Sequence, residues 1–256
     1  MTKFIILTIF KEMFENFLNT SIIKRTIDSN KLKVEVLDIR DFSTNKHKKV
    51  DDTPYGGGSG MLFSCEPLDL CLQKALKMVE QDNNYKILYM SPAGKLLNYD
   101  VVNEFSKTTN EFIIICGHYE GIDERIIKKY NIEEISIGDF VLTGGELPAM
   151  VFIDSLIRLK NGVLSENSIV EESHTNVLLE YPQYTKPYLY DGYEVPDVLV
   201  SGDHKKIAKY RKDESIYKTY INRPDLIQKA ISLNIIKKQD LENVIIEKGG
   251  KNNGSN

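Results

Sequence analysis

Over the first 160 residues, short apolar runs alternate with segments of helical period. Residues 4–10 form an apolar run of strand length, 34–39 alternate in the period-two manner, and 86–90, 111–116 and 132–137 are further β-like runs. Between them 12–28, 66–81, 98–107 and 121–130 carry the helical period, with Asn98 and Asp123 placed at or near N-termini. Such alternation predicts an α/β fold, a mostly parallel sheet with helices on both faces. Ligands of such sheets sit at the carboxyl ends of the strands, and 89–94, 116–118 and 137–139 all fall where a strand is expected to end. From 161 to 187 no period is sustained, and Gly162, Pro182 and Pro187 interrupt any helix, so the stretch reads as a linker followed by a loop. Helical pattern returns over 203–213, 224–233 and 238–248, while 249–256 has nothing to bury and reads as a disordered tail. The expected organisation is a domain over 1–160, a linker and loop over 161–187, a small helical domain over 188–248 and the tail.

Composition narrows the class. The chain has 256 residues, 41% hydrophobic and 27% charged, enough for one large domain or two ordinary ones. No apolar run approaches the ~18 residues of a membrane span, and the first residues show no signal-peptide pattern, so a cytosolic protein without membrane contact is expected. Cys65, Cys71 and Cys116 are odd in number and lack metal-ligand spacing; they read as buried small hydrophobes rather than as a disulfide framework or zinc site. The net charge of −4 is unevenly spread. Residues 204–223 hold seven Lys or Arg against Asp213 and Glu214, a local +5 that leaves −9 on the remainder.

The chemistry-bearing stretches are three glycine-rich loops: Pro-Tyr-Gly-Gly-Gly-Ser-Gly-Met at 54–61, Cys-Gly-His-Tyr-Glu-Gly-Ile-Asp-Glu-Arg at 116–125, and Ser-Ile-Gly-Asp-Phe-Val-Leu-Thr-Gly-Gly-Glu-Leu-Pro-Ala-Met at 136–150. Glycine lets main-chain groups approach a ligand with no Cβ between. The first loop lacks the Lys-Ser/Thr of a P-loop and the second does not fit the dinucleotide fingerprint, which favours a ligand not held by its phosphates. Each loop alone is as well read as a tight turn; three together predict one shared site.

These blocks, with Asp51-Asp52-Thr53 before the first, Ser91-Pro92-Ala93-Gly94, Glu180-Tyr181-Pro182-Gln183-Tyr184-Thr185-Lys186-Pro187, Ser201-Gly202-Asp203-His204 and Arg223-Pro224-Asp225-Leu226, resemble the TrmD family, the bacterial tRNA (guanine-N1)-methyltransferases. The resemblance spans nearly the whole chain. It implies a SPOUT-type parallel sheet with a trefoil knot, a rare exception among folds, followed by a small helical domain. It also implies a cytoplasmic homodimer whose active site is completed across the interface. S-adenosylmethionine is expected in the knot, held by Tyr89, Met90, Ser91, Pro92 and Gly94; by Gly117, His118, Tyr119, Glu120 and Gly121; by Ser136, Ile137, Gly138, Phe140 and Leu142; and by Gly144, Gly145 and Pro148. Tyr55, Gly57, Gly58 and Ser59 are expected at the tRNA. The implied product is N1-methylguanosine at position 37, next to the anticodon, with a preference for a preceding G and a role for Mg²⁺. Glu120, Asp154, Glu171, Glu172 and Glu180 form no recognisable coordination pattern for that metal.

Guanine N1 carries a proton at neutral pH, so its methylation calls for a carboxylate to accept the proton and a cation to stabilise charge gathering on O6. Arg158 matches the arginine that the family places at the base, where its planar fork can donate twice to the O6/N7 edge. It also stands four residues after Asp154, so a helical ion pair is the competing reading. Glu172 matches the family's catalytic aspartate, one methylene longer, with Glu171 as its rival. His118 stands where some members have arginine. If the longer side chain misplaces the carboxylate, the chain is instead an impaired RNA-binding relative that retains the pocket. For RNA the sequence offers two basic patches: 46–49, Lys-His-Lys-Lys, and the cluster with Lys205, Lys206 and Lys209, interleaved with Tyr210, Tyr217 and Tyr220.

Overall fold

Successive residues of the central strands enter two different cores. Phe4 and Ile6 point to one side of the sheet and Ile5 and Leu7 to the other, all fully buried, and Phe112 and Ile114 against Ile113 and Ile115 repeat the pattern. Strands apolar on both faces must be covered on both. The computed structural model describes residues 1–80, 84–164 and 173–252, in two units, Met1–Leu164 and Ser165–Asn256.

The first unit runs β1 (Thr2–Thr8), α1 (Met13–Leu18), α2 (Ser21–Asp28), β2 (Leu32–Asp38), a 3₁₀ turn (Ile39–Phe42), β3 (Asp51–Asp52), β4 (Leu62–Phe63), α3 (Cys65–Leu76), β5 (Tyr85–Leu96), α4 (Tyr99–Thr108), β6 (Glu111–Cys116), α5 (Glu124–Tyr130), β7 (Glu133–Ser136) and α6 (Glu146–Arg158). Five strands form one sheet in the order β2-β1-β6-β5-β7, with every pairing parallel. Helices α1, α2, α4 and α6 cover one face through Phe14, Ile23, Phe105, Phe152 and Leu156. Helices α3 and α5 cover the other through Leu68, Cys71, Leu72 and Ile126. Cys71 and Cys116 are buried and Cys65 partly so, all as free thiols.

Three elements depart from the pattern reading. The strand expected at 4–10 lies at Thr2–Thr8. The single helix expected over 12–28 is two, because the Asn19 amide and Thr20 hydroxyl turn back onto the carbonyls of Glu15 and Asn16 and finish α1. Most consequential is β5, which does not end near residue 90. Met90 pairs with Ile135, residues 91–94 bulge out, and Lys95 returns to the same Ile135.

Asn98 and Asp123 cap as expected, accepting from the N–H groups of Val101 at 3.1 Å and Arg125 at 2.9 Å. The Arg125 guanidinium also grips both Asp123 carboxylate oxygens, holding that carboxyl well below its usual range. A depressed folded-state pKa adds stability that is complete above the unfolded value of about 4 and is lost as pH falls. Asp123→Ala is therefore expected to cost about 1 kcal/mol at neutral pH and progressively less in acid, as urea titrations at the two pH values would read.

The second unit holds the hairpin β8 (Leu189–Tyr190) and β9 (Tyr193–Glu194), then α7 (Asp197–Val200), α8 (His204–Asn222), α9 (Pro224–Ser232) and α10 (Lys238–Asn252). Its core is Leu178, Ile216, Ile227, Ala230, Ile236 and Val244. Helix α8 is longer than the expected 203–213, because buried Ile216 and Thr219 face that core and packing overrides the weak helix propensity of 214–222. Helix α10 likewise continues to Asn252, past the boundary expected at 248; a glycine weakens a helix by only about 1 kcal/mol relative to alanine. The described residues of 161–187 contain neither helix nor strand.

Candidate active site

The bulge of β5, the ends of β6 and β7 and the start of α6 line a cleft of about 190 Å³. From β5 come Tyr89, Met90, Ser91 and Pro92; from the loop after β6, Gly117 through Gly121; from the segment after β7, Ser136 to Gly138, Phe140, Leu142, Gly144 and Gly145; and from α6, Pro148. Ile135, Val141 and Thr143 also line it, although none is among the residues named as holding the donor. Gly94 does not. A Cβ there would lie 2.3 Å from the Glu134 carbonyl carbon, so this glycine serves the close crossing of β5 and β7 rather than the cleft wall.

Five of the lining residues are glycines, and at several of them the loops approach too closely for a Cβ. Gly145, the N-cap of α6, donates its N–H to the Gly117 carbonyl at 2.9 Å, and a Cβ on it would stand 2.7 Å from Cys116 Cα. Below the second loop the buried Tyr89 ring lies where a Gly117 Cβ would be, 2.6 Å from Cε2, and burial pushes its phenol up to about 12. Ser136 Oγ ties the third loop by accepting from the Gly138 N–H and donating to the Gly138 carbonyl.

At the cleft the expected residue His118 is joined by two that the sequence did not single out, Glu146 and Thr8. Glu146, 1% exposed, accepts from the Thr8 hydroxyl at 2.6 Å and has both oxygens 2.8 Å from His118 Nε2. It stands in the first turn of α6. Glu146 carries no signal in the sequence beyond its place after two glycines.

The glycine-rich loop at 54–61 is carried by the β3–β4 hairpin and abuts the cleft. Glu120 donates its N–H to the Met61 carbonyl at 2.9 Å, and the Glu120 side chain occupies the space a Gly60 Cβ would need. Gly57 and Gly58 face open space and Tyr55 is 98% exposed, leaving the loop tip available to a macromolecule. His47, Lys48 and Lys49 line a neighbouring recess with Arg40 and Tyr119, so Tyr119 borders both the cleft and this basic patch.

Arg158 is not brought to this cleft. It is the last residue of α6, while the cleft lies at the first, about 18 Å away along the helix at 1.5 Å per residue. Glu171 and Glu172 lie outside the described residues. Their neighbour Ser173 accepts from the Glu180 N–H at 2.9 Å, and burial lowers the pKa of His174. In the second unit Lys205 and Lys206 open α8, their N–H groups capped by Asp203. Lys206 pairs with Asp203 at 3.4 Å and Lys209 with Asp213 at 2.8 Å, so part of the basic cluster is locally neutralised. Among the described residues no group of three or more His, Cys, Asp or Glu is arranged to hold a metal, and no helix is long and apolar enough to cross a membrane.

The family model described as tRNA (Guanine-1)-methyltransferase TrmD matches residues 2–229. Among similar proteins, the tRNA (guanine-N(1)-)-methyltransferase of Malacoplasma penetrans is 50% identical over 232 residues, 91% of this chain and 100% of that protein. The protein of the same name from Ruminiclostridium cellulolyticum is 50% identical over 235 residues, 91% of this chain and all of that one. Its namesake from Mycoplasmopsis pulmonis is 49% identical over 229 residues, 90% and 98% respectively. With the family model covering 2–229 and relatives of this identity matched over nearly their full length, the chain belongs to the tRNA (guanine-1)-methyltransferase TrmD family.

Proposed function

We propose that this chain, a tRNA (guanine-N1)-methyltransferase, works as a cytoplasmic homodimer that takes its methyl group from S-adenosylmethionine in the glycine-lined cleft and transfers it to N1 of guanosine 37. The observation that carries the reading is the cleft itself, lined at five positions by glycine where the bulge of β5 meets the ends of β6 and β7. Such walls suit a ligand recognised by its adenine edge and zwitterion rather than by phosphate. Bound S-adenosylmethionine supplies a methyl activated on a sulfonium; its S–CH₃ bond breaks as the N1–CH₃ bond forms. Glu172 accepts the N1 proton, and Arg158 donates to the O6/N7 edge and offsets charge there. Tyr89, Met90, Ser91 and Pro92, residues 117–121 and 136–142, and Gly144, Gly145 and Pro148 hold the donor. Tyr55, Gly57, Gly58 and Ser59 hold the tRNA. The described residues offer no cluster of three or more His, Cys, Asp or Glu to receive Mg²⁺.

Two features support the dimer. Arg158 lies a helix length from its own cleft, and α6 carries Leu147 and Val151 exposed on the side away from its buried face. Phe140, Val141 and Leu142 add exposed apolar surface next to the cleft. The reading includes the trefoil path, supported by β5 lying between β6 and β7 and by the 144–145 turn crossing hard against the end of β6. It assigns donor binding to 1–160, the catalytic loop to 161–187 and tRNA binding to 188–248. The impaired-relative alternative gains no support, since proteins 50% identical carry the methyltransferase name.

The deciding experiment is transfer of radiolabelled methyl to unmodified tRNA, with the product nucleoside identified by mass spectrometry. N1-methylguanosine at position 37 is expected; binding of donor and tRNA without transfer would restore the alternative. Lys205→Ala/Lys206→Ala/Lys209→Ala is expected to reduce the slope of log affinity against log salt by about 2 to 3, close to one unit per lost phosphate contact. The ion pairs that Lys206 and Lys209 make are of the exposed kind worth about 1 kcal/mol or less, so phosphates can displace them. An unchanged slope would return that end of α8 to a solvated helix face.

A further inference from the structure

We propose that Glu146 is a positioning residue for the methyl donor, acting through His118, whose Nδ1 it presents to the cleft. The inference rests on the assignment of the cleft to S-adenosylmethionine. It starts from a chain of hydrogen bonds joining three strand and helix ends. The Phe10 N–H donates to Thr8 Oγ1 at 2.8 Å, which turns the hydroxyl proton toward Glu146 Oε1 at 2.6 Å. Both Glu146 oxygens then face His118 Nε2 at 2.8 Å. A carboxylate accepts and cannot donate, so the pattern assigns the ring proton to Nε2. Nδ1 is the remaining nitrogen, and no bond to it is made among the described residues. His118 lines the cleft, and its ring is braced edge-on by Phe10 with centroids 4.9 Å apart.

A purely structural purpose for Glu146 is poorly served by this arrangement. Burying a carboxylate costs more than burying an apolar side chain of the same size unless its partners compensate. Here one of the partners is a ring that borders the cleft. The lack of a side chain at Gly144 belongs to the same device: a Cβ there would fall 2.2 Å from His118 Cε1 and 2.6 Å from Glu146 Oε2. The carboxylate, the ring and the bare backbone together fix which imidazole nitrogen a bound donor meets, with Nδ1 accepting from the donor's ammonium or amino groups.

A double-mutant cycle on the full chain tests this, with S-adenosylmethionine affinity read by calorimetry. Glu146→Gln and His118→Ala are each expected to weaken binding roughly tenfold, the worth of one good hydrogen bond. The double variant should be no weaker than His118→Ala alone. Imidazole ¹⁵N spectra should show the Nε2–H tautomer of His118 in the wild type and its loss in Glu146→Gln. Losses that multiply in the double variant, or an unchanged tautomer and affinity in Glu146→Gln, would overturn the proposal. Because Glu146→Gln can fail to fold, His118→Gln gives a second route: its amide still donates to Glu146 but has no atom in place of Nδ1. It should keep the melting temperature and lose about tenfold in affinity; wild-type affinity would refute the role. A wild-type protein that binds no S-adenosylmethionine would instead unseat the assignment of the cleft.

Discussion

A mixture of Arg158→Ala and Gly145→Val subunits is expected to methylate tRNA although neither variant does so alone. The Gly145 change destroys the cleft: the new side chain meets Cys116 Cα at 2.7 Å and the Gly117 nitrogen at 2.9 Å, backbone that the buried end of β6 holds in place. The Arg158 change leaves the cleft intact and removes the cation at the far end of α6, about 18 Å away. If each site joins one subunit's cleft to Arg158 of the partner subunit, a mixed dimer has one site with both parts sound. Random exchange makes half the dimers mixed, so roughly a quarter of wild-type activity should return. A mixture as inactive as its components, with exchange verified by native mass spectrometry, would mean that Arg158 serves its own chain's cleft.

Glu172→Gln is expected to slow single-turnover methyl transfer by about two to four orders of magnitude, the usual contribution of a general base, while donor and tRNA affinities stay unchanged. The amide cannot take the N1 proton but keeps the size and polarity of the side chain, so a loss confined to the chemical step would isolate proton transfer. Rapid-quench kinetics with saturating enzyme read that step. Glu172→Asp asks whether the extra methylene is accommodated: a slower aspartate means that the loop is built around glutamate, whereas an equal or faster one means that glutamate is tolerated. Near wild-type rates in Glu172→Gln with an inactive Glu171→Gln would move the role to Glu171.

The parallel sheet and the rim that carries the cleft were legible because they depend on local signals. Apolar runs of strand length mark strands buried on both faces, and Gly117, Gly121, Gly138, Gly144 and Gly145 mark where main chain replaces side chain. Pairings across long separations left no local trace. The Thr8–Glu146 bond spans 138 residues, and nothing near Glu146 distinguishes a buried carboxylate from an ordinary charge in a helix's first turn. The bulge of β5 was equally hidden, because strand propensity falls at Ser91-Pro92-Ala93-Gly94 whether the strand stops or resumes. Lys212, counted among the cations of 204–223, reaches Asp240 on a neighbouring helix. The basic cluster is therefore less positive than its sequence implies.

The return of β5 to β7 after its bulge bears on how quickly the cleft can fill. Residues 91–94 leave the sheet opposite Ile135 and rejoin it opposite the same residue, so both ends are anchored by one partner strand. A tethered arch of this kind has little conformational freedom to lose, since its ordering accompanies folding and not binding. Association from that side should follow a single exponential with a rate linear in ligand concentration, without the plateau of a gated loop.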